Sequence, residues 1–342
     1  MFAYIIRRLL IMIPTLIAIS VITFVIIKLP DGDYLSNLIL ELQAQGDQGA
    51  LERVEFLRKQ YNLDQPAVVQ YLIWMGFWPS GTGGLDGLLQ GNMGWAFEQD
   101  LPVSEVLGDR LAMSMLLNFV TILFVYVVSF PIGIYSATRQ YSWGDYGFTL
   151  LGYVGLATPN FLLALILMYF GNKWFGLSIG GLMDPELIDK GMSMEKAGSV
   201  LTHLIAPVIV IGTSGTAGMI RRLRANLLDE LQKQYVTTAR AKGVKPGKLL
   251  MKYPVRMALN PFIADIGNLL PSVVSGSAIV AVVMQLPTLG PVLLQALESQ
   301  DQFLAGSILM FLAMLTVVGM LISDLLLAML DPRIRLGGGV QK

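Results

Sequence analysis

The sequence predicts an all-α, polytopic membrane protein with six transmembrane helices and both termini on the cytoplasmic side. Three observations carry this. Hydrophobic residues make up 54% of the chain and charged residues 14%, against roughly 45–50% and about 25% in soluble domains. Six apolar stretches approach or exceed the roughly 20 residues that a helix needs to cross the hydrocarbon core. Lysines and arginines gather in alternate connecting segments, which is how a polytopic chain sets its orientation.

The first stretch, about Leu9 to Leu29, reads LLIMIPTLIAISVITFVIIKL. It is too long and too β-branched for a signal-peptide core, and no small-residue cleavage site follows, so it is expected to be retained as a span. The second runs from about Met115 to Tyr135, the third from Phe148 to Phe170, the fourth from Val200 to Ile220. The fifth runs from Pro261 to Met284 and the sixth from Phe303 to Leu330. Prolines 14, 131, 159, 207 and 271 fall within or at the ends of these stretches. Membrane helices tolerate proline because neighbours re-satisfy the freed carbonyls.

With the N-terminus inside, the inner segments hold 16 Lys and Arg and the outer segments 8. That bias predicts N-in and C-in. The expected organisation is a cytoplasmic N-terminus with the first helix (1–29), an extracytoplasmic helical segment (30–113), a five-helix core (114–330) and a cytoplasmic tail (331–342). In the outer segment Leu51, Val54, Leu57 and Tyr61 recur at helical spacing, and LDQP and WPSGTGG are turn chemistry. A small folded cap of helices is expected there.

The core contains a basic loop, 221–260. Leu223, Leu227, Leu228, Leu231 and Tyr235 follow an i, i+4, i+5, i+8, i+12 pattern, one apolar helix face. A second short helix fits TTARAK. Gly243 would stop it, since glycine best adopts positive φ just past a helix end, and Pro246 would prevent its continuation. A periodic leucine face on a loop of this length exceeds what retention of two spans requires. The expectation is an exposed amphipathic element that buries its face against a cytoplasmic partner.

Other chemistries are poorly supported. The chain has no cysteine and one histidine, His203, so thiolate sites, disulfides and multi-histidine metal sites are excluded, and His203 is expected to be a polar interface residue. GVKPGKLL is one residue short of a phosphate-binding loop and has Leu where Ser or Thr must meet magnesium. A formal net charge of zero gives no suggestion of nucleic-acid binding. Asp265 and Asp324 are the ionisable residues expected within spans, where a carboxylate is a functional hypothesis by default; structural roles are preferred for both. The chain thus reads as a path-forming membrane protein without an energy source of its own. The six spans are apolar nearly all round, so no path-lining residue is marked.

At the basic loop the sequence resembles the permease subunits of ABC importers, in the oligopeptide and dipeptide (peptide/nickel) branch. YVTTARAKG, then Arg256, then ALNP, is similar to that branch's form of the cytoplasmic EAA loop. IIRRLLIMIPTLIAISVITFVIIKLPDGD, YNLDQPAVVQYLIW, GNMGWAF, PVSEVL, PIGIYSATRQYSWGD, ATPNFLLALIL and LDPRIRLGG resemble further family blocks in the same order. The family's consensus glutamate is Thr237 here. A glutamate that often precedes a PGLG turn is Ala281, and the turn reads PTLG with Thr288. Asn62 stands where the family's GLDQP has glycine, and Pro254 is unusual after the coupling helix.

The resemblance implies the type I importer permease fold and a location in a bacterial or archaeal cytoplasmic membrane. It implies a coupling helix that rests on an ATPase, with Thr237, Thr238, Ala239, Arg240, Ala241, Lys242 and Gly243 as the contact and its turn. Tyr235, Arg256 and Pro261 would support the loop. The implied partners are a second permease, two ABC ATPase subunits, an extracytoplasmic substrate-binding protein and membrane lipid, with no nucleic acid. The chain would be non-catalytic and carry no cofactor, ATP and magnesium belonging to the partner ATPase. The implied cargo is an oligopeptide or dipeptide, with an oligosaccharide or opine-like sugar conjugate as the alternative. The absence of Cys and of clustered His argues against nickel ligation by this subunit. A rival outside the family is an ion-coupled secondary transporter dependent on Asp265 or Asp324; another is a membrane scaffold or receptor without transport.

Overall fold

The computed structural model describes residues 2–30, 32–45, 48–80, 83–176, 179–187, 190–191, 193–265 and 277–330. They divide into two compact units. One comprises Phe2–Met113 and Thr288–Val317, the other Ser114–Pro287 and the chain from Val318 onward.

The first unit begins with α1 (Phe2–Lys28), uncharged apart from Arg7, Arg8 and its terminal Lys28. The segment after it folds into α2 (Tyr34–Gln45), α3 (Gln48–Gln60) and α4 (Ala67–Met75), and of the residues at helical spacing Leu51, Val54 and Leu57 lie on α3. A two-stranded antiparallel pair follows, β1 (Trp95–Ala96) with β2 (Leu101–Pro102). Leu35, Val54, Leu63 and Phe97 form its core, with Tyr61, Trp95 and Phe303 packed around them. The unit closes with α13 (Leu289–Glu298) and the start of α14 (Gln302–Leu330). Buried Asp301 joins these parts: one carboxylate oxygen accepts from Phe97 N at 2.7 Å, the other from Leu304 N at 3.1 Å. The first bond ties the β segment down and the second caps the helix that follows.

The second unit takes its helices from the end of α5 (Val103–Thr138), then α6 (Trp143–Ala157), α7 (Asn160–Phe175) and α8 (Met194–Leu231). Three short helices continue it: α9 (Gln234–Ala241), α10 (Pro246–Lys252) and α11 (Pro254–Ala258). Residues 260–265 are helical, and α12 (Ala278–Val283) precedes the turn at Leu286.

Among the described residues, α1, α5, α8 and α14 are long and apolar enough to cross a membrane. The third expected span is not a single helix. α6 and α7 meet at an angle of 100°, because Pro159 pushes the residue before it out of the helical region; Thr158 sits at φ −86° and ψ 119°. The pair makes a fifth span if both halves belong to one crossing. The fifth expected stretch, Pro261 to Met284, lies in part outside the described residues, and so do Pro271 and the tail 331–342.

A second expectation is overturned. The leucine face of the basic loop is not left for a partner. Leu223 and Leu227 belong to α8, a continuous 38-residue helix, and both are fully buried. They pack with Val125, Met219, Val255, Ala258 and Phe262 of the same chain. Tyr235 lies beyond the end of α8, so the i+12 spacing joined two different helices. A 38-residue α-helix is about 57 Å long, nearly twice the hydrocarbon thickness, so α8 carries the span and projects well past it.

Candidate coupling site

The site is built where α8 ends. Leu231 is its last residue, and Lys233 turns to extended backbone at φ −68° and ψ 145°, so α9 sets off in a new direction. Its far end is a Schellman turn. Val244 N donates to Ala239 O at 3.3 Å and Gly243 N to Arg240 O at 3.0 Å. Gly243 takes φ +74°, a conformation that costs other L-residues roughly 1–2 kcal/mol. A Cβ there would meet nothing within 4 Å, so the requirement for glycine is one of backbone conformation and not of space. Pro246 then starts α10 at its first turn, where its missing N–H is not needed.

A small core holds this turn. Val236, Ala239 and Leu249 are buried, with Val244 and Tyr253 packed against them. Of the seven residues proposed for contact and turn, Ala239 therefore faces inward and braces the element. Thr237, Thr238, Arg240, Ala241, Lys242 and Gly243 are exposed on the outer surface. The Tyr235 hydroxyl donates to the Glu230 carboxylate of α8, which pins the start of α9. Burial, then the bond to Glu230, push the phenol well above its ordinary range, so Tyr235 stays a donor at any physiological pH. Arg256 lies exposed on α11, and Pro261 is also exposed in the helical stretch that follows. The residues that anchor α11 and the helical stretch after it to α8 are Val255, Ala258 and Phe262, which spacing alone did not single out.

The projecting part of α8 is gripped from three sides. On α5, a Cβ at Gly133 would lie 2.9 Å from Leu223 Cδ2, so only glycine admits that approach. On α6, Asp145 is almost wholly buried and receives Arg224 through two nitrogens, Nε to Oδ1 at 2.9 Å and Nη2 to Oδ2 at 2.8 Å. The third contact is α11. Asp145 is itself fixed: its Oδ2 accepts from Tyr141 N at 2.9 Å, and its own N–H is capped by Ser142 Oγ at 3.2 Å. The capping pattern S-x-x-D in YSWGD is the signal that marks Asp145 in the sequence.

Asp265 also has a structural partner. Its Oδ2 lies 3.0 Å from Arg222 Nη1, and the same guanidinium sits 5.4 Å from the centroid of the Phe262 ring. His203 lies 3.7 Å from Asp184 through Nε2, and its Nδ1 is 2.9 Å from Ser199 O. It is a polar contact between a helix and the preceding loop.

The arrangement is a long helix held on three sides, with an exposed short helix following its end. The comparisons with known proteins identify the family. Residues 129–336 match the binding-protein-dependent transport system inner membrane component, and residues 1–118 match the N-terminal part of such membrane components. The oligopeptide transport system permease protein AppB of Bacillus subtilis is 36% identical over 338 residues, covering 98% of this chain and 99% of that protein. The dipeptide transport system permease protein DppB of Alkalihalophilus pseudofirmus is 28% identical over 98% of this chain and 100% of that protein. The nickel import system permease protein NikB of Staphylococcus aureus is 27% identical over 98% and 92%. The chain therefore belongs to the family of binding-protein-dependent inner membrane transport components, the non-catalytic permease subunits of ABC importers.

Proposed function

We propose that this permease carries oligopeptides or dipeptides and that α9 with its Schellman turn is its coupling helix. The observation that carries the coupling role is the combination of exposure and bracing. Thr237, Thr238, Arg240 and Lys242 face outward, while Val236 and Ala239 lock the same short helix onto Leu249 of α10 and Tyr235 ties its start to Glu230 of α8. A push on α9 reaches the spans through packed side chains and the Arg224–Asp145 pair, without a hinge in α8. Rigid-body motion of a soluble subunit thereby becomes rocking of helices, as alternating access requires.

The full assembly has two permeases, two ATPases that bind ATP and magnesium, and a substrate-binding protein. The binding protein meets the extracytoplasmic segment 30–113, the five-helix core is 114–330, and both termini lie in the cytoplasm. Six spans complete the path, the fifth formed by the stretch from Pro261 to Met284. The peptide assignment draws on the names of AppB and DppB. The NikB relatives make a nickel chelate the second reading. The ion-coupled alternative loses ground because Asp265 is paired to Arg222. Uptake of labelled peptide by proteoliposomes tests the cargo: transport that requires ATP and the binding protein supports the proposal, and uptake driven by an ion gradient alone contradicts it.

A further inference from the structure

Between them, α6 and α8 enclose a cavity of about 220 Å³ that the proposed coupling role does not use. Its walls follow from the packing of the two helices. Gly152 faces Ala217, where an added Cβ would lie 3.7 Å from the alanine Cβ, and a Cβ at Gly155 would approach Thr213 Cγ2 to 2.8 Å. With Asp145 on Arg224, the pairs run in opposite senses along the two helices, so α6 and α8 lie antiparallel and close. Small residues at the contact leave a groove alongside it. Thr149, Leu156 and Ile220 line its apolar length; Tyr146, Tyr153 and Arg221 stand among its other walls. Both tyrosines are more than half exposed.

Three arginines sit within one turn of α8, and two are committed. Arg222 is paired with Asp265 and Arg224 with Asp145. Arg221 is exposed and has no hydrogen bond or ion pair among the described residues. Asp145 and Arg224 also line the groove, but they neutralise each other and the Asp145 side chain shows almost no surface. The groove thus combines one uncommitted cation, phenolic hydroxyls and an apolar trough, immediately past the last apolar residues of a membrane span. Basic pockets between helices at the membrane surface suit anionic headgroups, and tyrosines concentrate at the same level.

We propose that this groove binds an anionic phospholipid, its phosphodiester on Arg221 with Tyr146 or Tyr153 donating, and an acyl chain along Thr149, Leu156 and Ile220. A lipid bound there would bridge α6 to α8 and stiffen the path from α9 into the membrane. The charge complementarity favours a lipid over a protein segment, because an apolar trough runs beside Arg221, the one cation in its lining that is not already paired with a carboxylate.

The test uses the full chain, purified with whatever subunits accompany it and exchanged into micelles containing phosphatidylglycerol or phosphatidylcholine. Native mass spectrometry reads the lipid retained. Preferential retention of phosphatidylglycerol is expected, with about a fivefold loss in Arg221→Gln and most of it kept in Arg221→Lys. Arg221 has no described partner, so the glutamine variant should elute as wild type; if it does not, Leu156→Trp, which fills the trough, gives the second reading and should lower retention likewise. Equal retention of the two lipids, or retention unchanged in both variants, overturns the proposal. So does thermal stabilisation by inorganic phosphate equal to that by phosphatidylglycerol, which would place a free anion there and not a lipid.

Discussion

Gly243 has the most specific demand of any residue in the proposed coupling element. Its φ of +74° is set by the Schellman turn, and the open space around it means that a side chain strains only the backbone. Gly243→Val should cost about 2 kcal/mol or more locally, since a β-branched residue is still less suited to that conformation. Insertion of the spans should be normal while uptake falls at least severalfold, measured by membrane fractionation alongside transport; wild-type uptake would count against the role given to α9. A second residue-scale prediction concerns Asp145. Removing its charge leaves Arg224 partly buried without its ion-pair partner, and breaking a buried pair typically costs about 3–5 kcal/mol; the quarter exposure of Arg224 argues for the lower end. Asp145→Asn should therefore lower the melting temperature of the detergent-solubilised protein. In the double variant Asp145→Ala/Arg224→Ala the loss should be less than the sum of the two single losses.

At the scale of elements, α8 matters most because it is unbroken from the span to the tip. Ala225 is exposed on it, between the buried Leu223 and Leu227. Proline there would remove a helix hydrogen bond and clash with the carbonyl of Arg221, costing about 3 kcal/mol or more. Ala225→Pro should leave ATPase association and ATP hydrolysis intact while ATP-driven uptake is lost. Stimulated ATPase activity and uptake, read on the same preparation, check this; tightly coupled turnover in the variant would show that α8 does not act as a rigid lever. The same element shows what sequence alone could convey. Hydropathy marked its span, and Gly243 with Pro246 marked the turn beyond. The periodic leucines marked a buried face, but periodicity cannot say what buries it. Phe262, Val255 and Ala258 do so, and they lie about 30 residues further along a loop rich in lysine and arginine. The break at Thr158–Pro159 was equally hard to read. Proline is tolerated within membrane helices when neighbours re-satisfy the backbone, so ATPN is compatible with a bent span and with a break. Arg224–Asp145 joins residues 79 apart; only its capping half was legible locally, in YSWGD.

For the whole molecule, the proposed coupling element and the helices that grip α8 lie in the same compact unit, Ser114–Pro287 with the chain from Val318 onward. Movement imposed at α9 is therefore delivered to one body that contains α6, α7 and α8. The other unit, Phe2–Met113 with Thr288–Val317, keeps its own core around Leu35, Val54 and Phe97 and matches the N-terminal family region over most of its length. The family was legible because its blocks occur in order along nearly the entire chain, whereas the cargo was not, because no polar constellation marks a path. The most direct test of the central claim is site-directed cross-linking from the exposed face of α9. Neither Thr238 nor Ala241 belongs to the buried core, and the chain has no native cysteine, so Thr238→Cys and Ala241→Cys each place one unique thiol. In native membranes both should cross-link to an ATPase subunit carrying a phosphate-binding loop, with a yield that changes when ATP is added. Robust ATP-driven uptake together with no ATPase adduct from either position would show that the force enters elsewhere.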